Sequence, residues 1–334
     1  MHKQTYENSA ICWDELKGPV ETSEKDRVEK SGPLFNQQET TIRKESKEGS
    51  SETYTQSSLS VQEKEPAEDS ARPSHKKPYT PEFIDWFVGF TEGDGSFVVN
   101  NETQRVTYMI TQKDPKVLYF IKKELGYGRV YECKDTKYRY TVTSQEQIGY
   151  LIKLFIGQLR LEKTNKRFEA WVEAYSKYNK LEKQITVERG VKKIDSQTAW
   201  LSGFIDAEGC FSATQRSGRT TFRMEFSINQ KGEYETMKQL QELAGPDKKW
   251  GRLSKRGDII TLSVDSIELL KVLKSYIERW PLRTQKAIVY VKWLKLLRVV
   301  EEGGRGKDYE TIKKMAQNIN QYKDEDKVHL LEKD

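Results

Sequence analysis

The amino-acid sequence predicts an α+β fold: two tandem αββαββα repeats, residues 78–190 and 191–334, preceded by a disordered tail, residues 1–77. Three observations predict it. Four short blocks recur in the same order in the two halves, which indicates a duplicated unit. Segments with alternating apolar residues lie between segments of helical period in each half, as strands and helices require. The first 77 residues show neither period.

The tail differs from the remaining chain in composition and charge. It is rich in Ser, Glu, Lys, Gln and Thr, and such a segment buries too little apolar surface to fold, so we expect disorder. It carries 12 Lys+Arg and 15 Asp+Glu, whereas residues 78–334 carry 45 and 36. The folded part is therefore basic, which suits a polyanionic partner because each neutralised phosphate releases counterions.

Histidine, cysteine and hydropathy patterns exclude several classes of protein. The three histidines lie near the chain ends or in the tail, and the three cysteines lack metal-ligand spacing. A histidine base and a zinc site are therefore not expected. No apolar run reaches the roughly 18 residues of a membrane span, so no membrane partner is expected. A hydrolase of this composition would use carboxylates, lysines and water.

The first repeated block opens each half. It reads GFTEGDGSF from Gly89 and GFIDAEGCF from Gly203. Thr80 and Pro81 are suited to the N-cap and first position of the first helix, and Ser196 is the corresponding N-cap candidate in the second half. The strand patterns SFVVN and RVTYMITQ follow in the first half, and CFSAT and TFRMEFSIN in the second.

The other three blocks complete the two repeats. ITQKD answers INQKG, which pairs Gln112 with Gln230, and GYGRV answers KWGRL. LEKTNKR answers PLRTQKA, which pairs Lys163 with Arg283 and Lys166 with Lys286. Between these blocks the spacing predicts a helix over 115–126, a strand at YRYTVTS and a helix over 145–159.

The first block also indicates how the two halves meet. Gly89 and Gly93 form a stripe of small residues on one helix face, and Gly203 and Ala207 form the same stripe in the second half. Such stripes let two helix backbones approach closely. The next residue in each half is an acid, Asp94 or Glu208, so close packing would bring two carboxylates together beside two negative helix ends. Oxygen ligands of this kind favour Mg²⁺.

These blocks resemble the two motifs of the monomeric LAGLIDADG homing endonucleases, over about residues 80–320. The resemblance implies a pseudo-twofold saddle of two antiparallel four-stranded sheets, each lying in a major groove of double-stranded DNA. It implies a site-specific endonuclease that cuts both strands as a monomer. Genes of this family are typical of organelle introns, so the resemblance places the protein in a mitochondrion or chloroplast.

The resemblance also implies roles for matching residues. Two or more Mg²⁺ ions would be held by the last acids of the motifs and the main chain before them: Asp94, Glu208, Gly93 and Ala207. Gln112 and Gln230 would orient solvent, and Lys163 and Arg283 would line the active sites. Since arginine cannot act as a base, Arg283 would give electrostatic stabilisation only, so equal cutting of the two strands does not follow from the resemblance. Glu92 and Asp206 fit a direct role as well as they fit helix capping or polar contacts in the interface.

DNA contacts are expected on the sheet faces, where Arg and Lys suit guanine edges or phosphates and Asn and Gln suit adenine. The candidates are Asn100, Gln104, Arg105, Lys113, Gln215, Arg216, Arg219, Arg223 and Lys231, with Lys137, Arg139, Lys255 and Arg256 nearer the sheet ends.

Two other functions remain open from the sequence. One is an RNA-binding maturase for group I introns, and the other is a DNA-binding repressor without cleavage activity. The acids at both motif ends favour retained DNA cleavage over either.

Overall fold

The computed structural model describes residues 78–134, 136–187, 192–215, 220–245, 247–304 and 308–321. The predicted tail and the predicted boundary between residues 190 and 191 lie outside these ranges. The described residues form two halves of the same element order, as the α+β prediction requires.

The first half has the predicted αββαββα order with one further helix at its end. Its elements are α1 (Pro81–Asp94), β1 (Gly95–Asn100), β2 (Arg105–Gln112), α2 (Lys116–Leu125), β3 (Arg129–Cys133), β4 (Lys137–Val142), α3 (Gln145–Phe155) and α4 (Glu162–Tyr178).

The second half repeats this order. Its elements are α5 (Trp200–Glu208), β5 (Gly209–Gln215), β6 (Phe222–Lys231), α6 (Tyr234–Gln241), β7 (Arg252–Arg256), β8 (Ile259–Val264), α7 (Ile267–Arg279), α8 (Lys286–Glu301) and α9 (Tyr309–Gln317). The LEKTNKR and PLRTQKA blocks, for which the sequence pattern predicted no helix or strand, lead into α4 and α8.

Each half contains a four-stranded antiparallel sheet, with strand orders β1-β2-β4-β3 and β5-β6-β8-β7. Corresponding strands pair in the same register: Gly95 lies opposite Ile110, and Gly209 lies opposite Ile228. This matched register places the residues after α1 and α5 at equivalent corners of the two sheets.

Helices cover one face of each sheet and leave the other face open. In the first half the ring of Phe97 packs against Phe155, Phe168 and Trp171. In the second half Phe211 packs against Tyr290 and Trp293 of α8, and against Phe226 of the neighbouring strand. Because successive strand residues point to opposite faces, the polar neighbours of these aromatics lie on the open faces.

The two motif helices begin differently. The Thr80 hydroxyl accepts a hydrogen bond from the Phe83 amide at 3.1 Å, which confirms the predicted cap of α1. The prediction for Ser196 was wrong, because α5 begins at Trp200 and its N-cap residue is Ala199. Residues 196–199 form turns instead, and the Asp195 carboxylate accepts from the Gln197 amide at 2.8 Å. No helix among the described residues is long and apolar enough to cross a membrane.

Candidate functional site

The motif helices α1 and α5 pack backbone against backbone. A Cβ atom added at Gly89 would lie 2.0 Å from the Trp200 carbonyl oxygen, and one added at Gly203 would lie 1.9 Å from that of Trp86. Farther along, a Cβ at Gly93 would lie 2.3 Å from the Ala207 Cβ. The small-residue stripes therefore do meet, and only glycine fits at the two tightest positions.

This packing brings the two terminal acids to one place. A Cβ at Gly93, the residue before Asp94, would lie 3.4 Å from Glu208 Oε1, so the Glu208 carboxylate lies against the end of α1. Both acids are half-exposed. Gln112 Nε2 donates to Asp94 Oδ2 at 2.8 Å, which places the predicted glutamine beside its acid. The arrangement is an open, carboxylate-lined cleft at two helix C-termini.

Glu92 and Asp206, two residues before these acids, are buried and link the halves reciprocally. The Trp86 indole donates to Asp206 Oδ2 at 2.8 Å, and the Trp200 indole donates to Glu92 Oε2 at 2.6 Å. Burial raises the pKa of Glu92 to about 7, against the opposing effect of its hydrogen bonds from Leu161 and Arg160. Burial also raises the pKa of Asp206. Their contacts are those of positioning residues within the interface.

The same two acids bind the main chain that leads into the last helices. Glu92 Oε1 accepts from the amides of Arg160 (2.7 Å) and Leu161 (2.6 Å). Asp206 accepts from the amides of Arg283 (2.7 Å) and Thr284 (3.1 Å). Each acid therefore connects a motif helix to the segment that carries the predicted basic residues.

These contacts correct the predicted pairing of the basic residues. The Arg160 guanidinium lies 4.8 Å from the Trp200 ring centre, and the Arg283 guanidinium lies 5.8 Å from that of Trp86. Arg283 is thus the counterpart of Arg160, not of Lys163, and its Nη2 also pairs with Glu82 Oε1 at 2.5 Å. The structure matches the segment RLEK, which begins at Arg160, with RTQK, which begins at Arg283. The pairing predicted from the sequence was shifted by three residues from this match.

In the corrected register Lys286 corresponds to Lys163, and both reach the cleft. Lys286 Nζ donates to the carbonyls of Ala207 (2.7 Å) and Ile205 (3.2 Å), at the C-terminal end of α5. Lys163 Nζ donates to Oε1 of Gln230, the buried glutamine of the other half. Lys166, which the sequence paired with Lys286, instead forms an exposed ion pair with Glu162. Lys286 is therefore a site residue that the sequence reading missed.

The oxygen atoms of the cleft suit a hard divalent cation. Among the described residues no group of three or more His, Cys, Asp or Glu side chains gathers as a metal site. The carboxylates that the helix packing places at the cleft are those of Asp94 and Glu208. A cation held by two carboxylates would complete its shell with water, main-chain carbonyls or substrate oxygens, as Mg²⁺ commonly does. The Ala207 carbonyl, a predicted ligand, here accepts from Lys286.

Several predicted DNA-contact residues lie on the open sheet faces. Asn100 lies opposite Arg105, and Arg139 lies opposite Thr111, on the open face of the first sheet. The open face of the second sheet carries Arg223, Lys231 and Arg256. Strand pairing also brings Arg129 and Arg252 to these faces. The sequence reading missed these two arginines, although both stand in the repeated GYGRV and KWGRL blocks.

Other predicted DNA contacts are placed differently. Gln215 and Lys255 lie opposite Phe222 and Ile260, on the faces that the helices cover, because a strand alternates its side chains. Arg223 is paired with Asp265 at 2.7 Å and with Glu225 at 3.1 Å.

The remaining candidates lie at the ends of the strands or beyond them. Gln104 lies in the β1–β2 turn with a φ of 48°, and Lys113 directly follows β2. Lys137 is the first residue of β4. Arg216 and Arg219 lie outside the described residues.

Comparison with known proteins agrees with this geometry. The family model described as LAGLIDADG endonuclease matches residues 87–175 and 201–297, one match in each half. The chain belongs to the LAGLIDADG endonuclease family. Each match includes one motif helix and extends into α4 or α8, so the LAGLIDADG assignment covers both terminal acids and both lysines.

Curated relatives of this LAGLIDADG chain include fungal proteins. It is 31% identical over 229 residues to a probable intron-encoded endonuclease 4 of Neurospora crassa, covering 64% of this chain and 40% of that protein. It is 29% identical over 258 residues to a probable intron-encoded endonuclease Cox1-I1b of Schizosaccharomyces pombe, covering 67% of this chain and 66% of that protein. The chain therefore spans less than two thirds of each.

Solved structures share the LAGLIDADG fold. A crystal structure of the meganuclease I-AabMI bound to uncleaved DNA superposes with a TM-score of 0.60 at 20% identity, covering 72% of this chain and 99% of that one. The homing endonuclease I-SmaMI bound to cleaved DNA superposes with a TM-score of 0.58 at 17% identity, covering 73% and 98%. At such identities the likeness concerns the fold.

Proposed function

We propose that this chain is a homing endonuclease that hydrolyses one phosphodiester bond on each strand of a specific double-stranded DNA site. The observation that carries the proposal is the convergence of Asp94 and Glu208 at the ends of two helices packed without intervening side chains. The names of the fungal relatives, probable intron-encoded endonucleases, favour this activity over an RNA maturase.

The metal in this proposal is Mg²⁺, two ions or more, held by Asp94 and Glu208. One related structure, of I-SmaMI with an uncleaved DNA target, was obtained in the presence of calcium ions, which supports a divalent cation. When bound, such ions lower the pKa of a coordinated water and stabilise charge on the attacking and leaving oxygens.

The side chains of the chain supply the remaining functions. Gln112 holds the Asp94 carboxylate by a 2.8 Å hydrogen bond from its Nε2 to Asp94 Oδ2. Lys163 and Lys286 place ammonium groups at the cleft, where they would stabilise negative charge on the phosphorane. The reciprocal bonds of Glu92 and Asp206 hold both segments against the motif helices.

Recognition of the DNA sequence would come from the open sheet faces. Arg105, Arg129 and Arg139 of the first sheet and Arg252 and Arg256 of the second would contact bases or phosphates. Since both halves belong to one chain, we propose that a monomer suffices. An organelle, mitochondrion or chloroplast, remains the predicted location.

The test is cleavage of a randomised double-stranded DNA library with Mg²⁺, and capture of bound sites with Ca²⁺. We expect the wild-type protein to cut selected sites on both strands. Asp94→Asn and Glu208→Gln should abolish cleavage while Ca²⁺-supported binding persists, because each removes a charged ligand but keeps its shape. Glu310→Gln on the exposed surface of α9 is the matched control and should cut normally. Cleavage by either cleft variant at the wild-type rate would refute the assignment.

A further inference from the structure

The start of α4 differs from the start of α8 in one respect that the repeat does not explain. Four consecutive amides, from Arg160 to Lys163, bond to two buried glutamates. The first two bond to Glu92 of the same half. The next two bond to Glu233 of the other half, at 3.2 Å from the Glu162 amide and 2.8 Å from the Lys163 amide.

Glu233 lies between β6 and α6, and two residues of this region bond to two different groups of Lys163. Glu233 is 4% exposed and binds the Lys163 main chain. Gln230, three residues earlier and 3% exposed, accepts from the Lys163 ammonium group. The second half therefore fixes both ends of a lysine that belongs to the first half.

The described contacts of Lys286 are of a different kind. The residue that matches Glu233 in the first half is Pro115, which has no side-chain oxygen and so cannot take the place of the Glu233 carboxylate. The Lys286 amide instead faces the Thr284 hydroxyl of its own segment at 3.2 Å, and its ammonium group bonds to carbonyls of α5. The residue that matches Thr284 in the first half is Leu161, which has no hydroxyl group. Each half therefore lacks the side-chain acceptor that the other half uses for the amide of its lysine.

We propose that Glu233 is a positioning residue for Lys163, and that one DNA strand therefore depends on Glu233 for its cleavage whereas the other does not. This inference rests on the proposed endonuclease function. The N-cap residue of α4, Leu161, makes no side-chain cap bond, so the two amides have no local acceptor when Glu233 is lost. An unsatisfied amide that is partly removed from water is costly, and the first turn, with the Lys163 ammonium group, would shift.

The test measures nicking of each strand on a selected site labelled differently on its two strands. Lys163→Ala and Lys286→Ala first identify the strand that depends on each lysine. Glu233→Gln keeps the side-chain shape but replaces one of the two acceptor oxygens by an NH2 donor, so one of the two amides loses its acceptor. It should slow the Lys163-dependent strand about tenfold and leave the other within about twofold, as a small displacement of a catalytic group does. Glu162→Gln is the matched control: it removes an acid at the same helix start, but that side chain is 70% exposed and pairs with Lys166.

A change in the ratio of the two strand rates is the decisive readout, because a merely structural role would slow both strands alike or only lower the melting temperature. Equal slowing of both strands, slowing of the Lys286-dependent strand, or no change in the ratio would overturn the inference. Failure of the wild-type protein to cut either strand would instead overturn the endonuclease function, and the inference with it.

Discussion

The basic residues that lead into α4 and α8 differ in what they contact. Arg160 and Arg283 lie over indole rings of the opposite motif helices, whereas Lys163 and Lys286 reach the cleft. Arg283 is therefore a structural residue of the interface, and its presence gives no reason to expect unequal cutting. The inequality that we propose comes instead from the different support of the two lysines.

Lys286→Ala should slow cleavage of one strand on the order of 100-fold, because it removes a fixed positive charge from the site of charge development. The measurement is single-turnover nicking of each labelled strand in Mg²⁺. Lys166→Ala is the matched control, since that lysine is 71% exposed and forms an ion pair with Glu162 of its own helix. Equal rates for the Lys286 variant and the control would contradict the role of Lys286.

At the scale of elements, the contact between α1 and α5 determines the geometry of the cleft. The closest approaches are between a glycine of one helix and a main-chain carbonyl of the other, and a main-chain atom cannot move aside as a flexible side chain can. The helix ends, and with them both acids, are therefore held at a separation set by backbone contact.

Gly89→Ala should destabilise the protein by about 3 kcal/mol or more, because its methyl group would overlap the Trp200 carbonyl. Equilibrium unfolding in urea measures this. Gly149→Ala in α3 is the control, since its added Cβ would meet only the end of the Tyr175 side chain at 3.1 Å. Its better helix propensity offsets that contact, so we expect a change within about 1 kcal/mol. Similar losses for both variants would argue against backbone contact at Gly89.

The same interface predicts a pH dependence of stability. Burial raises the pKa of Glu92 to about 7, so the folded state binds this proton more tightly than the unfolded state. The contribution of Glu92 to the free energy of unfolding should therefore be greatest below about pH 4.5 and should fall as pH rises to about 7. The loss is on the order of 3 kcal/mol. Asp206 and Asp85, whose pKa values burial also raises, contribute with the same sign.

Glu92→Gln separates this group from the others. It cannot titrate, so unfolding measured in urea between pH 5 and pH 8 should depend less on pH in the variant than in the wild type. Parallel pH profiles for the two proteins would show that Glu92 does not titrate in this range.

At the scale of the whole molecule, the two similar halves are related by an approximate twofold axis, and the reciprocal bonds of their motif helices follow this symmetry. The bonds from Trp86 to Asp206 and from Trp200 to Glu92 are the same bond made in opposite directions. The relation also places two open sheet faces with similar basic residues on the chain, which suits a long double-stranded site.

DNA binding in Ca²⁺ should weaken steeply with salt, since arginines on both open faces would replace phosphate counterions. Arg129→Ala or Arg252→Ala should each lower the slope of log affinity against log salt by about 1 if it contacts a phosphate. Lys313→Ala should leave the slope unchanged, because Lys313 lies on α9, which packs through Tyr309 against Phe222 on the covered face of the second sheet and not on an open face. Titrations at several salt concentrations measure these slopes. A loss of slope in the Lys313 variant alone would place the DNA surface on the helices instead.

Many features of this protein could be predicted from the sequence because they depend on local patterns. The duplicated blocks, the strand at RVTYMITQ and the cap at Thr80 require only periodicity and near neighbours, and the structure confirms them. The two terminal acids and the glycine stripes were likewise evident, because a helical repeat places small residues on one face. The DNA-contact residues stay predictions, and some lie on the covered sheet faces.

The sequence was enough to establish the fold class, the family resemblance and the pair of acids, since each follows from residues a few positions apart in the chain. Only the tertiary structure could decide which basic residue belongs to the cleft and what supports it. Short blocks align in more than one register, and RLEK was matched to RTQK only by contacts across the interface. Glu233 and Lys163 are 70 positions apart in the chain, and no local sequence pattern predicts that they are in contact.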